Sequence, residues 1–99
     1  MIERVRKILE SFDFLRKILN NSAICRENEI IIYDPPFTIK ILRREEMIIF
    51  QLEDEEIAVL TKENVNVNKD YQDYVDSWCL ALASLGFKRY LLKNFRKSK

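Results

Sequence analysis

The segment from residue 37 to residue 62 limits the possible folds more than any other part of the chain. Three apolar runs, FTIKIL, MIIFQL and IAVLTK, are separated by short charged stretches. Successive side chains of a strand point to opposite faces, so these runs predict an antiparallel meander. A one-residue slip would scatter the apolar set over both faces. The residues predicted to share one face are Phe37, Ile39, Ile41, Ile48, Phe50, Leu52, Ile57 and Val59.

Two charged turns set the predicted register of this meander. A turn at Arg44-Glu45 would place Ile41 opposite Ile48, and a turn at Asp54-Glu55 would place Leu52 opposite Ile57. Two-residue hairpins favour Asn-Gly or another glycine pair, and neither turn contains glycine. Loops longer than two residues are therefore an alternative.

The second face of the predicted sheet is also partly apolar. An antiparallel sheet with one hydrated face alternates more strictly between apolar and polar residues. Either a helix or a partner molecule is therefore expected to cover this face. Because the end of the second helix is apolar nearly all round, we expect the chain to self-associate. The predicted interface residues are Leu42, Met47, Ile49, Leu60 and Leu80.

Helical spacing of apolar residues predicts two main helices. The first covers residues 1 to about 20, with a stripe that includes Val5, Phe12 and Leu15. The second runs from about Lys69 to Leu85, with Asn68 as its N-cap and Gly86 as the left-handed residue that ends it. A third, short helix or a strand is predicted for residues 87 to 97.

Shorter segments complete the predicted architecture. The run EIIIY at residues 29 to 33 reads as a strand that Asp34-Pro35-Pro36 stops, because proline lacks a backbone donor. The run NVNVN at residues 64 to 68 reads as an extended loop or an edge strand. We therefore predict one α+β domain over residues 1–99, in which an N-terminal and a C-terminal helix pack on a three- or four-stranded antiparallel meander.

The composition excludes several chemistries. The 99-residue chain has no histidine, one glycine and two cysteines. Histidine-dependent catalysis, a four-thiolate zinc site and glycine-rich phosphate loops are therefore absent. The acidic turn Glu53-Asp54-Glu55-Glu56 offers oxygen ligands for a divalent cation, but adjacent turn residues point in different directions. We expect a non-enzymatic protein without cofactor or metal, and a solvated hairpin tip at this turn.

The distribution of charge and cysteine indicates an intracellular protein. Charged residues interrupt the first 22 positions, so no signal peptide or membrane span is predicted. We expect a cytoplasmic location, with Cys25 and Cys79 as buried reduced thiols. A bridge between them is the alternative in a hyperthermophile, where intracellular disulfides persist. Abundant Lys, Arg and Glu fit hyperthermostability, whereas seven asparagines count against it.

Charges are segregated along the chain. Residues 45–76 carry a net charge of −8 and residues 77–99 a net charge of +6. The basic segment suggests nucleic-acid binding, because cations neutralise phosphates. Cations are equally favourable at a helix C-terminus without any ligand. A third possibility is that the acidic segment mimics DNA and inhibits a host defence enzyme. The predicted nucleic-acid-binding residues are Arg89, Lys93, Arg96 and Lys97.

The whole chain resembles a known group of small proteins. Its length and stretches such as EIIIYDPPFTIKILRREEMIIFQLEDEEIAVL are similar to those of small proteins from filamentous and rod-shaped viruses of hyperthermophilic archaea, the Acidianus filamentous viruses in particular. The resemblance implies a robust small domain that acts in the host cytoplasm, often with an unusual fold. It implies no catalytic or binding residue.

Overall fold

The fold is α+β, as predicted, with six strands where three or four were expected. A computed structural model describes the backbone of residues 1–97 and the side chains of residues 1–85. A 3₁₀ turn at Lys69–Tyr71 precedes the second helix. The elements are α1 (Ile2–Ile18), β1 (Ile24–Arg26), β2 (Glu29–Asp34), β3 (Phe37–Arg44), β4 (Met47–Leu52), β5 (Glu55–Thr61), β6 (Val65–Val67) and α2 (Gln72–Lys97).

The six strands form one antiparallel meander in which each strand pairs with the next along the chain. The two outer strands, β1 and β6, have three residues each. Their sequences, ICR and VNV, are short, and β6 lies within the NVNVN run where an extended loop or an edge strand was predicted. The strand count exceeds the prediction because backbone pairing with β2 and β5, rather than a local apolar pattern, creates these edges.

Both central hairpin turns have two residues without any glycine. Glu45-Glu46 connects β3 to β4, and Ile41 lies opposite Phe50 instead of Ile48. This two-residue shift preserves the face of every β4 side chain. Glu53-Asp54 connects β4 to β5, with φ of 50° and 69°. Positive φ at both central positions is the geometry of a type I′ turn, which matches the twist of a hairpin.

A register irregularity between Phe50 and Gln51 leaves Ile57 in the core, as predicted, but reverses the predicted faces of the residues that follow it in β5. It places Phe50 opposite Ala58 and Ile48 opposite Leu60. Leu60 therefore points into the core, fully buried, and not to the second face as predicted. Val59, predicted to face the core, lies on the other side and is half-buried. A bulge inserts one residue into one strand, which alternation along a single strand does not reveal.

The core lies between the helices and one face of the sheet. Val5, Ile8, Phe12 and Leu15 of α1 are completely buried against that face. α2 packs along α1 and adds apolar side chains to the same cluster. These α2 side chains are Val75, Cys79 and Leu82.

The entry into α2 follows the predicted chemistry, but its end does not. Asn68 Oδ1 accepts a hydrogen bond from the Asp70 amide at 3.0 Å, which caps the 3₁₀ turn. The helix then continues without interruption to Lys97. Gly86 therefore does not end a helix, and the predicted short third helix is the second half of α2. The tendency of a single glycine to break a helix is too weak to end a helix that continues on both sides of it.

Candidate functional site

One face of the sheet lacks a helical cover in the described part of the chain. We call it the open face. The strand registers place its side chains in rows that cross the sheet. In the longer of the two main rows, the residues on β3, β4 and β5 are all uncharged. The two main rows are Ile24, Ile31, Lys40, Gln51 and Glu56, and then Arg26, Glu29, Leu42, Ile49, Val59 and Asn66.

An apolar band crosses the open face diagonally. It is more exposed at the β1–β2 edge of the sheet than at its centre. Tyr33 is 69% exposed and Ile24 is 58% exposed, whereas Leu42 and Ile49 are 9% and 3% exposed. A polar row would be expected on a hydrated face. The apolar band consists of Ile24, Ile31, Tyr33, Leu42, Met47, Ile49 and Val59.

The centre of this band is already buried within the molecule. Leu42 and Ile49 lie directly opposite each other on β3 and β4. Both are buried although neither belongs to the core cluster beneath the helices. A partner therefore gains more from covering Tyr33 and Ile24 than from covering the centre, because hydrophobic stabilisation scales with the apolar area removed from water.

Ion pairs border the band. Lys40 Nζ lies 2.8 Å from Asp54 Oδ1, and this pairing raises the pKa of Lys40. Arg26 and Glu29 approach to 3.7 Å beside Leu42. Exposed pairs of this kind contribute little stability, at most about 1 kcal/mol each. Their consequence here is a charged rim around an apolar strip.

The structure brings together some of the predicted interface residues and separates others. Leu42, Met47 and Ile49 lie on the open face, with Met47 half-buried. Leu60 lies on the helical side of the sheet. Leu80 is 51% exposed on α2 and belongs to the helical layer. The predicted set is therefore not one surface, because the bulge turns Leu60 inward.

A second arrangement, which the sequence analysis did not single out, surrounds Asp13. We call Asp13, Arg16 and Arg43 the arginine cluster. Arg43 lies on the helical face of the sheet, in the row of Ile48, and its guanidinium stacks 4.6 Å from the ring centroid of Phe12. It donates from Nε to Asn28 Oδ1 at 3.0 Å and from Nη2 to Asp13 Oδ1 at 3.1 Å.

Arg16 binds the same carboxylate oxygen. Its Nη2 donates to Asp13 Oδ1 at 2.6 Å, and its Nη1 donates to the Arg26 carbonyl at 3.2 Å. Hydrogen bonds from Arg16 and Arg43 hold the pKa of Asp13 below its ordinary value. The Nε of Arg16 is buried and has no hydrogen-bond partner among the described residues. One carboxylate thus serves two guanidiniums and leaves one of them incompletely satisfied.

The arginine cluster borders a shallow cleft of about 320 Å³. Asp13, Arg16, Lys17, Asn20 and Cys25 line it. Burial raises the pKa of the Cys25 thiol, so this thiol lines the cleft as a neutral group at pH 7. Cys25 and Cys79 are both free thiols, so the bridge considered above does not form.

The alternating pattern of β3 contains the signal that identifies Arg43. Phe37, Ile39, Ile41 and Arg43 share one parity, so a cation occupies a core-facing position. A charged residue on the core side requires hydrogen-bond partners because burial of an unpaired charge is costly. The partners, from α1 and from the β1–β2 turn, are distant in sequence and were not predictable from β3 alone.

Of the other predicted sites, the acidic turns are described in full and the basic segment only as backbone. Arg89, Lys93, Arg96 and Lys97 lie outside the residues whose side chains are described, although their backbone is helical. The acidic turns at Glu45-Glu46 and Glu53-Asp54 lie at opposite ends of the meander. Within the described residues, no three acidic or cysteine side chains form a group suited to a metal ion.

The fold and surfaces define a small α+β protein with a six-stranded meander and helices on one face. The chain belongs to the Archaeoglobi AF1636 family, whose profile matches residues 1–94. It is 37% identical over 87 residues to an uncharacterised protein of Archaeoglobus fulgidus, covering 88% of this chain and 92% of the relative. No solved structure matches the chain.

These comparisons correct the expected resemblance to viral proteins. The family and the relative are archaeal, and neither supports a viral origin. The resemblance rested on length and composition, which unrelated small proteins share under similar constraints. None of the described helices is long and apolar enough to cross a membrane.

Proposed function

We propose that this protein is a non-enzymatic interaction protein that self-associates through the open face of its sheet. The observation that carries the proposal is the apolar band, which ends in Tyr33 and Ile24 with more than half of each side chain exposed. Exposed apolar patches on small proteins typically mark surfaces that bind other molecules. A second copy of the chain is the occupant that we favour.

The size of the face supports a weak dimer. Strands about 4.8 Å apart, with about 3.3 Å per residue, give the four longest strands a face of roughly 400–500 Å² in projection. A standard interface buries about 800 Å² of accessible surface per partner. The open face is therefore smaller than a standard interface and falls in the size range of weak, transient contacts. We expect a concentration-dependent dimer with a Kd in the micromolar range.

The charged rim permits a symmetric arrangement. Arg44 and Glu56 lie on the open face at different ends of β3 and β5. In a two-fold dimer every contact occurs twice, so Arg44 of one copy facing Glu56 of the other would give two equivalent pairs. Such pairs fix orientation more than they add affinity.

Sedimentation equilibrium of the wild type and of charged variants tests this proposal. Tyr33→Lys and Ile24→Lys each introduce a cation into the exposed end of the band. We expect each to weaken dimerisation at least about tenfold, because a buried unpaired charge opposes association. Circular dichroism establishes that the variants remain folded.

Leu80→Lys is the matched control, because Leu80 is similarly exposed but lies on α2. It should leave the dimer unchanged if the open face is the interface. Association abolished by Leu80→Lys and retained by Tyr33→Lys would move the interface to the helical layer. A wild type that stays monomeric at millimolar concentration would eliminate self-association.

Nucleic-acid binding is the second candidate, supported by the continuity of α2. Since one helix runs from Gln72 to Lys97, the four predicted basic residues belong to a single helix. Phosphate contacts release counterions, so the affinity should fall steeply with salt. Electrophoretic mobility shifts at low salt compare the wild type with the charge-reversed variant Arg89→Glu/Lys93→Glu. If this segment binds nucleic acid, the variant should lose the shift that the wild type shows.

Two finer expectations accompany the proposal. We propose a cytoplasmic, thermostable protein, on the basis of its charge-rich composition and reduced cysteines. Inhibition of a host enzyme by DNA mimicry draws less support, because the acidic turns lie at opposite ends of the sheet instead of along one line. A pull-down with a Glu53–Glu56 neutralised variant as control tests that alternative.

A further inference from the structure

We propose that Arg16 and Arg43 form a binding site for a phosphate group, and that Asp13 occupies this site when no phosphate is bound. The site is separate from the open face, since Arg43 projects toward α1 on the helical side of the sheet. It therefore does not depend on self-association. The ligand class is a phosphate monoester or free phosphate.

Both guanidiniums are oriented before any ligand arrives. The backbone carbonyl of Arg26 holds Arg16 at 3.2 Å, and the carbonyl of Glu27 holds Arg43 at 3.2 Å. Asn28 and the ring of Phe12 fix Arg43 further. Such positioning lowers the entropic cost of binding an anion, because long side chains need not be ordered on binding.

Asp13 fills the position between them only partially. Its Oδ1 accepts from both arginines, while the adjacent Nε of Arg16 remains buried without a partner in the described part of the chain. Arginine binds oxyanions best through two parallel N–H groups. A phosphate in place of the carboxylate has enough oxygens to bind Nη2 and Nε of Arg16 together and to retain the bond to Arg43.

Exposure of Asp13 allows this exchange. Its side chain is 66% exposed, against 26% for Arg16 and 22% for Arg43. Rotation of the carboxylate into solvent breaks only its hydrogen bonds to the two arginines, which the phosphate replaces, while the backbone carbonyls keep both cations in place. Lys17, which lines the adjoining cleft, adds positive charge beside the vacated position.

Isothermal titration calorimetry with inorganic phosphate, against sodium chloride of equal ionic strength, tests the proposal. Asp13→Asn removes the competing carboxylate and should bind phosphate at least about tenfold more tightly than the wild type. Arg16→Lys keeps the charge but loses the pair of parallel N–H donors. In the double variant Asp13→Asn/Arg16→Lys it should therefore reverse most of the gain in phosphate affinity.

Glu3→Gln is the matched control. Glu3 pairs with Arg6 three residues later on the same helix, as Asp13 pairs with Arg16, but no second arginine among residues 1–85 joins it. Phosphate binding that rises equally in Asp13→Asn and Glu3→Gln would overturn the proposal, as would binding too weak to measure in Asp13→Asn. Equal affinity for acetate in Asp13→Asn would replace phosphate with carboxylate as the ligand. Measurement on the Tyr33→Lys background separates this result from any failure to dimerise.

Discussion

The guanidinium of Arg43 lies over the ring of Phe12, 4.6 Å from its centroid, and joins the sheet to α1. Phe12 is completely buried, so this cation sits at the margin of the core. The stacking interaction and the charged hydrogen bonds to Asp13 and Asn28 act on one side chain. Arg43 is therefore expected to contribute to stability as well as to the proposed anion site.

Replacement of Arg43 by methionine should lower the free energy of unfolding by about 2–3 kcal/mol, because cation–π stacking and charge-assisted hydrogen bonds are lost together. Urea unfolding measures the change. Arg44→Met is the control, since Arg44 is exposed on the opposite face. An equal loss in both variants would contradict a special role for Arg43.

Asp13 should make stability depend on acid. Its pKa lies below the ordinary value of 3.8 in the folded protein, chiefly through the hydrogen bond from Arg16. A lowered folded-state pKa adds stability that is complete above the unfolded-state pKa and is lost as pH falls toward the folded-state pKa. Urea midpoints from about pH 5 to about pH 2 should therefore fall more steeply for the wild type than for Asp13→Asn. Parallel slopes would rule out this linkage.

Glu45 occupies a left-handed conformation, with φ of 54°. A side chain in this region costs roughly 1–2 kcal/mol, part of which glycine avoids. Glu45→Gly should raise the free energy of unfolding by about 0.5–1 kcal/mol. Glu46→Gly, at the next residue of the same turn, should lower it, because Glu46 has no positive φ and pairs with Lys62 at 3.4 Å. If both substitutions stabilised the protein, the cause would be the removal of a negative charge and not the backbone conformation of Glu45.

The two thiols should differ in reactivity. Burial raises the pKa of Cys79 to about 12, and the side chain is completely inaccessible. Only the thiolate reacts with alkylating agents, so Cys79 should remain unmodified at pH 8 while half-buried Cys25 reacts slowly. Mass spectrometry after iodoacetamide treatment distinguishes the sites. In urea both should react at similar rates; rapid labelling of native Cys79 would contradict its burial.

Alanine variants of Leu60 and Met47 should differ in stability, because Leu60 packs in the core and Met47 lies on the open face. Leu60→Ala creates a cavity beneath α1 and should cost about 2–5 kcal/mol of stability. Met47→Ala, on the open face, should cost less than about 1.5 kcal/mol. Chemical denaturation provides both values. A larger loss for Met47 would mean that the open face is packed more tightly than its partial exposure indicates.

Local pattern in the sequence determined the fold class, the central meander and the faces of β3 and β4. Alternation in FTIKIL and MIIFQL survives a two-residue error in register, because side-chain direction repeats every two residues. The stripe of Val5, Phe12 and Leu15 similarly identified the buried side of α1. These features depend on neighbours along the chain.

Only the tertiary structure decided the features that depend on distant partners. The bulge after Phe50 turned Leu60 into the core and divided the predicted interface. Backbone pairing created the short edge strands, and α2 continued through Gly86. The convergence of Arg16 and Arg43 on Asp13 required α1 and β3 to meet. Each of these outcomes balances a small local preference against contacts between segments far apart in sequence, and only the packed chain determines which is stronger.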